Sequence, residues 1–229
     1  MPKPRSLTRQ EKDENTYRDD RLIIIACDDT YAPLQYFNMF QIPRVKVIVN
    51  AAKNNKSHAK YVVATLQQYE CEADDEKWIV LDTDHCTNSG SQLKSFLQAL
   101  SDARQSDINI AISKPCFEVW LLMHFIDDEA LFDSLENANT VEEHLKQING
   151  SYNKTKLDSK QFNFDKVAHA CRVAHLRDIK VSGGDNPDRS TSRIYKIWQS
   201  IIKKSAKSLL HSSLTEYDLF FHQQRNQLN

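Results

Sequence analysis

The sequence predicts an α/β protein in which a parallel sheet is flanked by helices, a Rossmann-like core that is followed by a helical part. Continuous apolar runs alternate with segments that place apolar residues at helical spacing, and this alternation is typical of βαβ units. The runs are apolar throughout, as strands are when both faces of their sheet are covered. Only four glycines occur in 229 residues, which argues against an all-β fold with many tight turns.

Four apolar runs are predicted to be the strands of this sheet. They comprise residues 22–27, 45–49, 79–81 and 108–112. Each run is compact, contains β-branched residues and is bounded by polar segments. Because crossovers between parallel strands are right-handed and the strands run in one direction, their carboxyl ends should meet at one edge of the sheet.

Helices are predicted between the strands and throughout the second half of the chain. Residues 34–40, 61–66 and 93–100 have apolar side chains at helical spacing and connect the strands. After the fourth strand, Ser113 is predicted to start another helix with Pro115 in its first turn. Further apolar stripes, each predicted to be the core face of a helix, lie within residues 141–148, 167–174 and 194–202.

The pattern divides the chain into three parts. Residues 1–20 are polar, mixed in charge and without periodicity, and predict a disordered or loosely held arm. Residues 21–126 form the α/β core. Residues 127–229 form a basic helical part that is expected to pack on this core.

The helical part carries a local surplus of positive charge. Residues 151–207 contain 13 lysines and arginines but only five acidic residues. Such a surplus is compatible with a surface that follows a nucleic-acid backbone, although solvated helix faces also supply many lysines. Lys154, Arg189 and Arg193 are the residues we select as candidates for contacts with nucleic acid.

Acidic pairs follow two of the predicted strands. Asp82 and Asp84 come after the third strand, and Asp28 and Asp29 follow the first. The carboxyl ends of neighbouring parallel strands bind ligands in open α/β sheets, so Asp28, Asp82 and Asp84 could converge there. Carboxylates suit Mg²⁺, which is completed by waters and substrate phosphates. Taken alone, however, an Asp-x-Asp sequence after a strand is as readily a turn or a helix cap.

Glu118 lies in a segment that is otherwise almost entirely apolar, residues 116–125. An ionised carboxylate in such a helix needs a cation, a basic partner or the positive end of the helix dipole. The sequence therefore leaves open whether Glu118 has a structural explanation or belongs to a metal or phosphate site. His124, in the same segment, is predicted to be a core histidine.

Several classes of protein are disfavoured by what the sequence lacks. It contains no Gly-rich phosphate loop, and its net charge is −1. Its five cysteines are odd in number and widely spaced, without a zinc-binding pattern, which predicts reduced thiols and a cytoplasmic location. No apolar segment has the length needed to cross a membrane.

The order of these motifs resembles that of the RloB/AbiL-type abortive-infection proteins, a family with a Toprim-like core that is associated with bacterial phage defence. The resemblance covers residues 18–202, and residues 113–125 are its most specific part. Cys27 and Asp28, residues 78–85 and the Asn186-Pro187 loop also match. The resemblance implies a Mg²⁺- or Mn²⁺-dependent nuclease that is commonly paired with an ATPase encoded alongside it.

The resemblance also implies roles for individual residues. Asp82 and Asp84 match the metal-binding aspartates, and Glu118 matches the glutamate of the family's Pro-Cys-Phe-Glu sequence. Asp28 replaces the usual first-strand glutamate and would be a second metal ligand or a general acid or base. Lys114 stands where the family usually has asparagine.

The shorter side chain of Asp28 motivates a second hypothesis. A carboxylate that is one methylene shorter can misplace a general acid or base, so the chain could be a catalytically degenerate module that binds nucleic acid or its ATPase without cleavage. A third hypothesis, an enzyme that acts on a small phosphorylated molecule, would require a closed pocket at the acidic edge. Homo-oligomerisation is left open by the sequence.

Overall fold

A computed structural model of the chain describes residues 20–52, 58–84, 86 and 89–228. Residues 1–19 of the predicted arm therefore lie outside the described residues. The elements in chain order are β1 (Arg21–Cys27), α1 (Ala32–Asn38), β2 (Val45–Ala51), α2 (Ala59–Gln67), β3 (Glu76–Asp82), α3 (Gly90–Gln105), β4 (Ile108–Lys114), α4 (Glu118–Leu122), α5 (Glu129–Ser134), α6 (Ala138–Asn149), α7 (Phe164–Asp178), β5 (Thr191–Ser192), α8 (Ile194–Lys204) and α9 (Ser212–Leu228).

The strands form one five-stranded sheet in the order β2-β1-β3-β4-β5. The first four strands are parallel, and β5 is antiparallel to β4. The predicted α/β fold with a mostly parallel, Rossmann-like sheet is thus confirmed. Since the chain passes from β1 to β2 on one side and later returns to β3 on the other, the strand order reverses between β1 and β3, where such sheets bind ligands.

The central strands are apolar because helices cover both faces of the sheet. In β1, Ile24 and Ala26 contribute to a core with α2 and α3, whereas Ile23 and Ile25 belong to a second core. This alternation follows from the two-residue period of a strand. The large aromatic side chains of the second core include Tyr36 of α1, Trp120 of α4 and Trp198 of α8.

The prediction that a helix starts at Ser113 is wrong. Strand β4 continues through Ser113 and Lys114, because these residues pair with Ser192 and Thr191 of β5. The peptide bond between Lys114 and Pro115 is cis, and α4 begins only at Glu118. The chain thus turns between β4 and α4 at the same edge of the sheet where β1 and β3 end.

The helical part contributes to both the core and the sheet. The predicted stripes of α7 and α8 are buried, and so are Val141 and Leu145 of α6, whereas Ile148 is exposed. Strand β5 was not predicted, since two residues carry no recognisable pattern. Among the described residues, none of the helices has both the length and the apolarity required to span a bilayer.

Candidate metal centre

Four carboxylates meet at the carboxyl edge of the central strands. Asp28 and Asp29 directly follow β1, Asp82 is the last residue of β3, and Glu118 is the first residue of α4. The backbone N–H of Asp28 donates to the Val80 carbonyl at 3.3 Å, which continues the pairing of β1 with β3. The sheet therefore brings these side chains together from three separate parts of the sequence.

The closest group is formed by Asp29, Asp82 and Glu118, whose carboxylate oxygens all lie within 4.8 Å of one another. Asp28 adjoins this group, because its Oδ2 accepts a hydrogen bond from the backbone N–H of Asp82 at 3.0 Å. Asp84 lies beside them and lines a cleft that Asp28, Asp29 and Asp82 also line. The structure thus brings together all four predicted catalytic residues and adds Asp29, which the sequence indicated only as the neighbour of Asp28 in an acidic pair.

One carboxylate oxygen of Asp29 accepts hydrogen bonds in the turn between β1 and α1, and the other oxygen faces the centre. Its Oδ1 accepts hydrogen bonds from the backbone N–H groups of Tyr31 at 2.6 Å and Ala32 at 3.3 Å, where α1 begins. Its Oδ2 lies 2.7 Å from Nζ of Lys154. An aspartate directly after a strand commonly forms such a turn, so only the fold reveals that its second oxygen faces other carboxylates.

Backbone hydrogen bonds hold the segment that follows β3. The N–H of Thr83 donates to the carbonyls of Ser113 at 3.1 Å and Pro115 at 3.0 Å, and the N–H of Asp84 donates to Pro115 at 3.1 Å. This segment is therefore fastened to the turn between β4 and α4. His85, which follows, lies outside the described residues.

Glu118 is fully buried and has a basic partner. Its Oε1 accepts a hydrogen bond from the Tyr152 hydroxyl at 2.7 Å and lies 3.3 Å from Nζ of Lys154. The sequence left open whether a cation, a basic partner or the helix dipole stabilises this carboxylate. The structure shows that a basic partner, Lys154, is present. Tyr152 was not predicted, and no pattern in the sequence identifies it.

Apart from Oδ2 of Asp29, which forms an ion pair with Lys154, three buried carboxylate oxygens of the centre accept no hydrogen bond from any described residue. They are Oδ1 of Asp28, Oδ1 of Asp82 and Oε2 of Glu118. A buried anionic oxygen without a donor is costly unless a cation satisfies it. Because carboxylates are the ligands of hard divalent cations, the residues present fit Mg²⁺ or a similar ion.

Burial, together with the charges of neighbouring carboxylates, raises the pKa of two aspartates of the centre. Burial raises the pKa of Asp28 to about 7, although the hydrogen bond from the Asp82 backbone opposes the rise. Burial also raises the pKa of Asp82 well above its usual range, and the charges of Asp28 and Glu118 add to this effect. Like charges in a poorly solvated site favour the protonated form, and a bound cation would reverse that preference.

The centre lies at the base of a cleft of about 520 Å³. Exposed residues such as Thr30 and Thr155 form part of its rim, so the cleft opens to solvent. The thiol of Cys86 also lines it, but burial and the charge of Asp28 raise the pKa of this thiol to about 12. The group of side chains whose atoms are close enough to hold an ion together does not include Cys86 and consists of carboxylates.

The three predicted nucleic-acid contacts lie in different places. Lys154 reaches the carboxylates of the centre, as described above. Arg193 instead binds Asp178 at 2.8 Å, and Arg189 lies 3.7 Å from Asp133. The structure therefore does not bring Arg189 and Arg193 to the acidic centre, and acidic side chains neutralise part of the basic surplus of this region.

Comparison with known proteins adds one finding to this geometry. A family model described as RloB-like protein matches residues 23–201. The comparisons with curated proteins and with solved structures give no match. The matched region is well over half of the chain and includes every carboxylate of the centre. The chain therefore belongs to the RloB-like protein family.

Proposed function

We propose that this RloB-like protein is a Mg²⁺- or Mn²⁺-dependent hydrolase that cleaves phosphodiester bonds of nucleic acid in defence against phage. The main support is the convergence of Asp28, Asp82 and Glu118, each with a buried oxygen that no described residue satisfies. The centre lies where the strand order reverses between β1 and β3, which is where open α/β sheets bind their ligands.

The residues have distinct roles in this proposal. Asp28, Asp82 and Glu118 would hold the ion, with Asp29 and Asp84 beside them. A bound divalent ion would stabilise negative charge on the scissile phosphate and lower the pKa of a water molecule. Without the ion, Asp28 holds a proton near neutral pH, because burial raises its pKa to about 7, and binding of the ion would displace this proton.

The open cleft suits an extended substrate better than a small molecule, which would need an enclosed pocket. The rim is exposed at Thr30 and Thr155, so a strand of nucleic acid could cross the centre without an opening movement. The family resemblance adds an ATPase encoded alongside as the expected partner, and abortive infection as the setting. Nucleic acid and this ATPase are accordingly the partners that we propose.

The direct test is a charge-removing variant of the aspartates after β3. The double variant Asp82→Asn, Asp84→Asn should cleave neither DNA nor RNA in the presence of Mn²⁺, whereas the wild type should cleave at least one of them. Single-stranded and duplex forms of both nucleic acids would be offered. The matched control is the double variant Glu136→Gln, Glu143→Gln, which alters two exposed carboxylates. Equal cleavage by the aspartate variant and the wild type would refute the proposed hydrolase.

A second candidate function is a module that binds its partners without cleavage. It is favoured by Asp28, which stands where the family has a longer glutamate, and by Arg193, whose charge is taken up by Asp178. Under this hypothesis the wild type would show no turnover with Mn²⁺, and Asp28→Glu would restore it. Cleavage by the wild type would exclude this alternative.

A further inference from the structure

We infer that the ammonium group of Lys154 fills one of two cation positions in the acidic centre, so that a divalent ion occupies only the other. This inference rests on the proposed function, because it concerns the same carboxylates. It assigns Lys154 a place within the centre, where it acts as a positioning residue for Asp29 and Glu118.

The contacts of Lys154 define the first position. Its Nζ lies 2.7 Å from Oδ2 of Asp29 and 3.3 Å from Oε1 of Glu118. These two residues belong to the group whose oxygens are close enough to bind a metal ion together. The ammonium group therefore interacts with carboxylates that would otherwise be available to an ion.

We assign the second position to the buried oxygens that Lys154 does not reach. Oε2 of Glu118, Oδ1 of Asp28 and Oδ1 of Asp82 are buried and accept no hydrogen bond from the described part of the chain. One oxygen of Glu118, Oε1, contacts Lys154 and Tyr152. Its other oxygen, Oε2, is available to a cation. The centre has two sets of oxygens, and Lys154 neutralises only one of them.

The loop that carries Lys154 is held in place by the core. The side chain of Gln35 in α1 donates to the Lys154 carbonyl at 2.9 Å and accepts from the backbone N–H of Leu157 at 2.9 Å. The Tyr152 hydroxyl binds Glu118 from the same loop. Because the backbone is fixed on both sides of Lys154, its side chain has a defined path to the carboxylates.

This ion pair differs from an ordinary surface pair. The Asp29 and Glu118 side chains are only 4% and 1% exposed, so neither carboxylate can rely on water for its charge. Removing the Lys154 ammonium group would leave two buried carboxylates without their cationic partner.

The test is the number of Mn²⁺ ions bound per chain, measured by electron paramagnetic resonance of free Mn²⁺ at increasing total Mn²⁺. The wild type should bind one ion. Lys154→Met keeps the length and apolar stem of the side chain but removes the ammonium group, so this variant should bind two. The matched control is Lys156→Met, an exposed lysine of the same loop, which should bind one.

The outcomes separate this inference from the proposed function. If the wild type and Lys154→Met both bind one ion with equal affinity, or if the wild type binds two, the inference is overturned while the metal centre stands. If the wild type binds none, both are overturned. Loss of the bound ion in Asp82→Asn would confirm that the counted ion belongs to this centre.

A measurement on the wild type keeps the inference testable if Lys154→Met does not fold. The rate at which acetic anhydride modifies Lys154 would be followed by mass spectrometry with and without saturating Mn²⁺. Separate positions predict the same slow modification of Lys154 under both conditions. A severalfold faster modification with Mn²⁺ would show that the ion displaces the ammonium group, and would overturn the inference.

Discussion

The backbone N–H of Asp82 donates to Oδ2 of Asp28 at 3.0 Å, so one carboxylate joins the ends of the two central strands. This bond occupies one oxygen of Asp28 and leaves Oδ1 buried without a donor among the described residues. Asp28 therefore has a structural and a chemical role that reside on different atoms. A substitution that preserves the structural role and removes the chemical role can separate the two.

Asp28→Asn is expected to weaken Mn²⁺ binding while the protein stays folded. The amide oxygen can still accept from Asp82, but an amide nitrogen then takes the place of Oδ1 and cannot bind a cation. We expect a loss of about 10- to 100-fold in affinity, the range found even for residues that only support a metal ligand. Isothermal titration with Mn²⁺ measures this loss.

The matched control is Asp75→Asn, since Oδ1 of Asp75 accepts from the backbone N–H of Leu22 at the opposite end of β1. This variant should keep the affinity of the wild type for Mn²⁺. Equal affinities in all three proteins would mean that Oδ1 of Asp28 does not contact the ion.

The sequence predicted the strands because covered parallel strands must be continuously apolar, as β1 and β3 are. It also located Asp82 and Asp28, since residues at strand ends have positions that follow from topology alone. Asp29 and Lys154 could not be predicted in this way. The second oxygen of Asp29 and the path of the loop around Lys154 depend on contacts with Gln35, which lies 119 residues from Lys154 in sequence.

The same limit explains the error at Ser113. A proline two residues later is typical of a first helical turn, and the sequence offered no reason to prefer a longer strand. What extends β4 is its pairing with β5, whose residues Thr191 and Ser192 lie far along the chain. Long-range pairing by two residues leaves no periodicity from which it could be inferred.

Metal binding should strengthen as the pH rises through about 7. Burial raises the pKa of Asp28 from 3.8 to about 7, so a proton competes with the cation below that pH. In the metal-free protein, the stabilisation from this carboxyl is present below pH 3.8 and is lost as the pH rises through about 7, because the folded state binds the proton more tightly. Saturating Mn²⁺ should therefore raise the melting temperature more on the alkaline side of pH 7.

Calorimetric titrations in buffers with different ionisation enthalpies would measure the protons released when Mn²⁺ binds. Release should be substantial below pH 7 and should decrease as the pH rises through about 7. An affinity for Mn²⁺ that does not change across this range would contradict a role for Asp28 as a ligand.

The buried His124 should make the protein less stable in acid. Its Nδ1 lies 2.8 Å from the Trp120 carbonyl, which can only accept, so Nδ1 carries a proton; its Nε2 lies 2.9 Å from the Tyr36 hydroxyl, from which it accepts when the ring is neutral. Burial lowers its pKa from 6.5 to about 3. Its contribution to stability is thus present above pH 6.5 and is lost as the pH falls toward 3, because the unfolded chain takes up the proton first.

Urea unfolding of the wild type and of His124→Leu at several pH values would test this. The variant has no imidazole to protonate, so its free energy of unfolding should fall less steeply between pH 6.5 and 4 than that of the wild type. Parallel pH profiles for the two proteins would show that His124 does not cause the acid dependence.

Arg177 should be the basic residue of the helical part whose removal costs most stability. It is buried, donates to Glu129 at 2.6 Å and to Asp133 at 2.7 Å, and also donates through Nε to the Ser190 carbonyl. Arg177→Met should lower the free energy of unfolding by about 1–3 kcal/mol, chiefly because the Ser190 carbonyl loses its donor in a buried place. The two carboxylates are about half exposed and can be solvated, so they add little.

Lys180→Met is the matched control, since Lys180 binds the same Glu129 at 2.9 Å but is itself exposed. It should cost no more than about 0.5 kcal/mol, as is usual for a solvated pair. Arg177→Lys should be nearly as unstable as Arg177→Met, because one ammonium group cannot donate to Glu129, Asp133 and the Ser190 carbonyl in the geometry of a guanidinium. Urea unfolding at a fixed pH compares the three variants. Equal losses for Lys180→Met and Arg177→Met would mean that Glu129, and not the buried carbonyl of Ser190, determines the stability of this region.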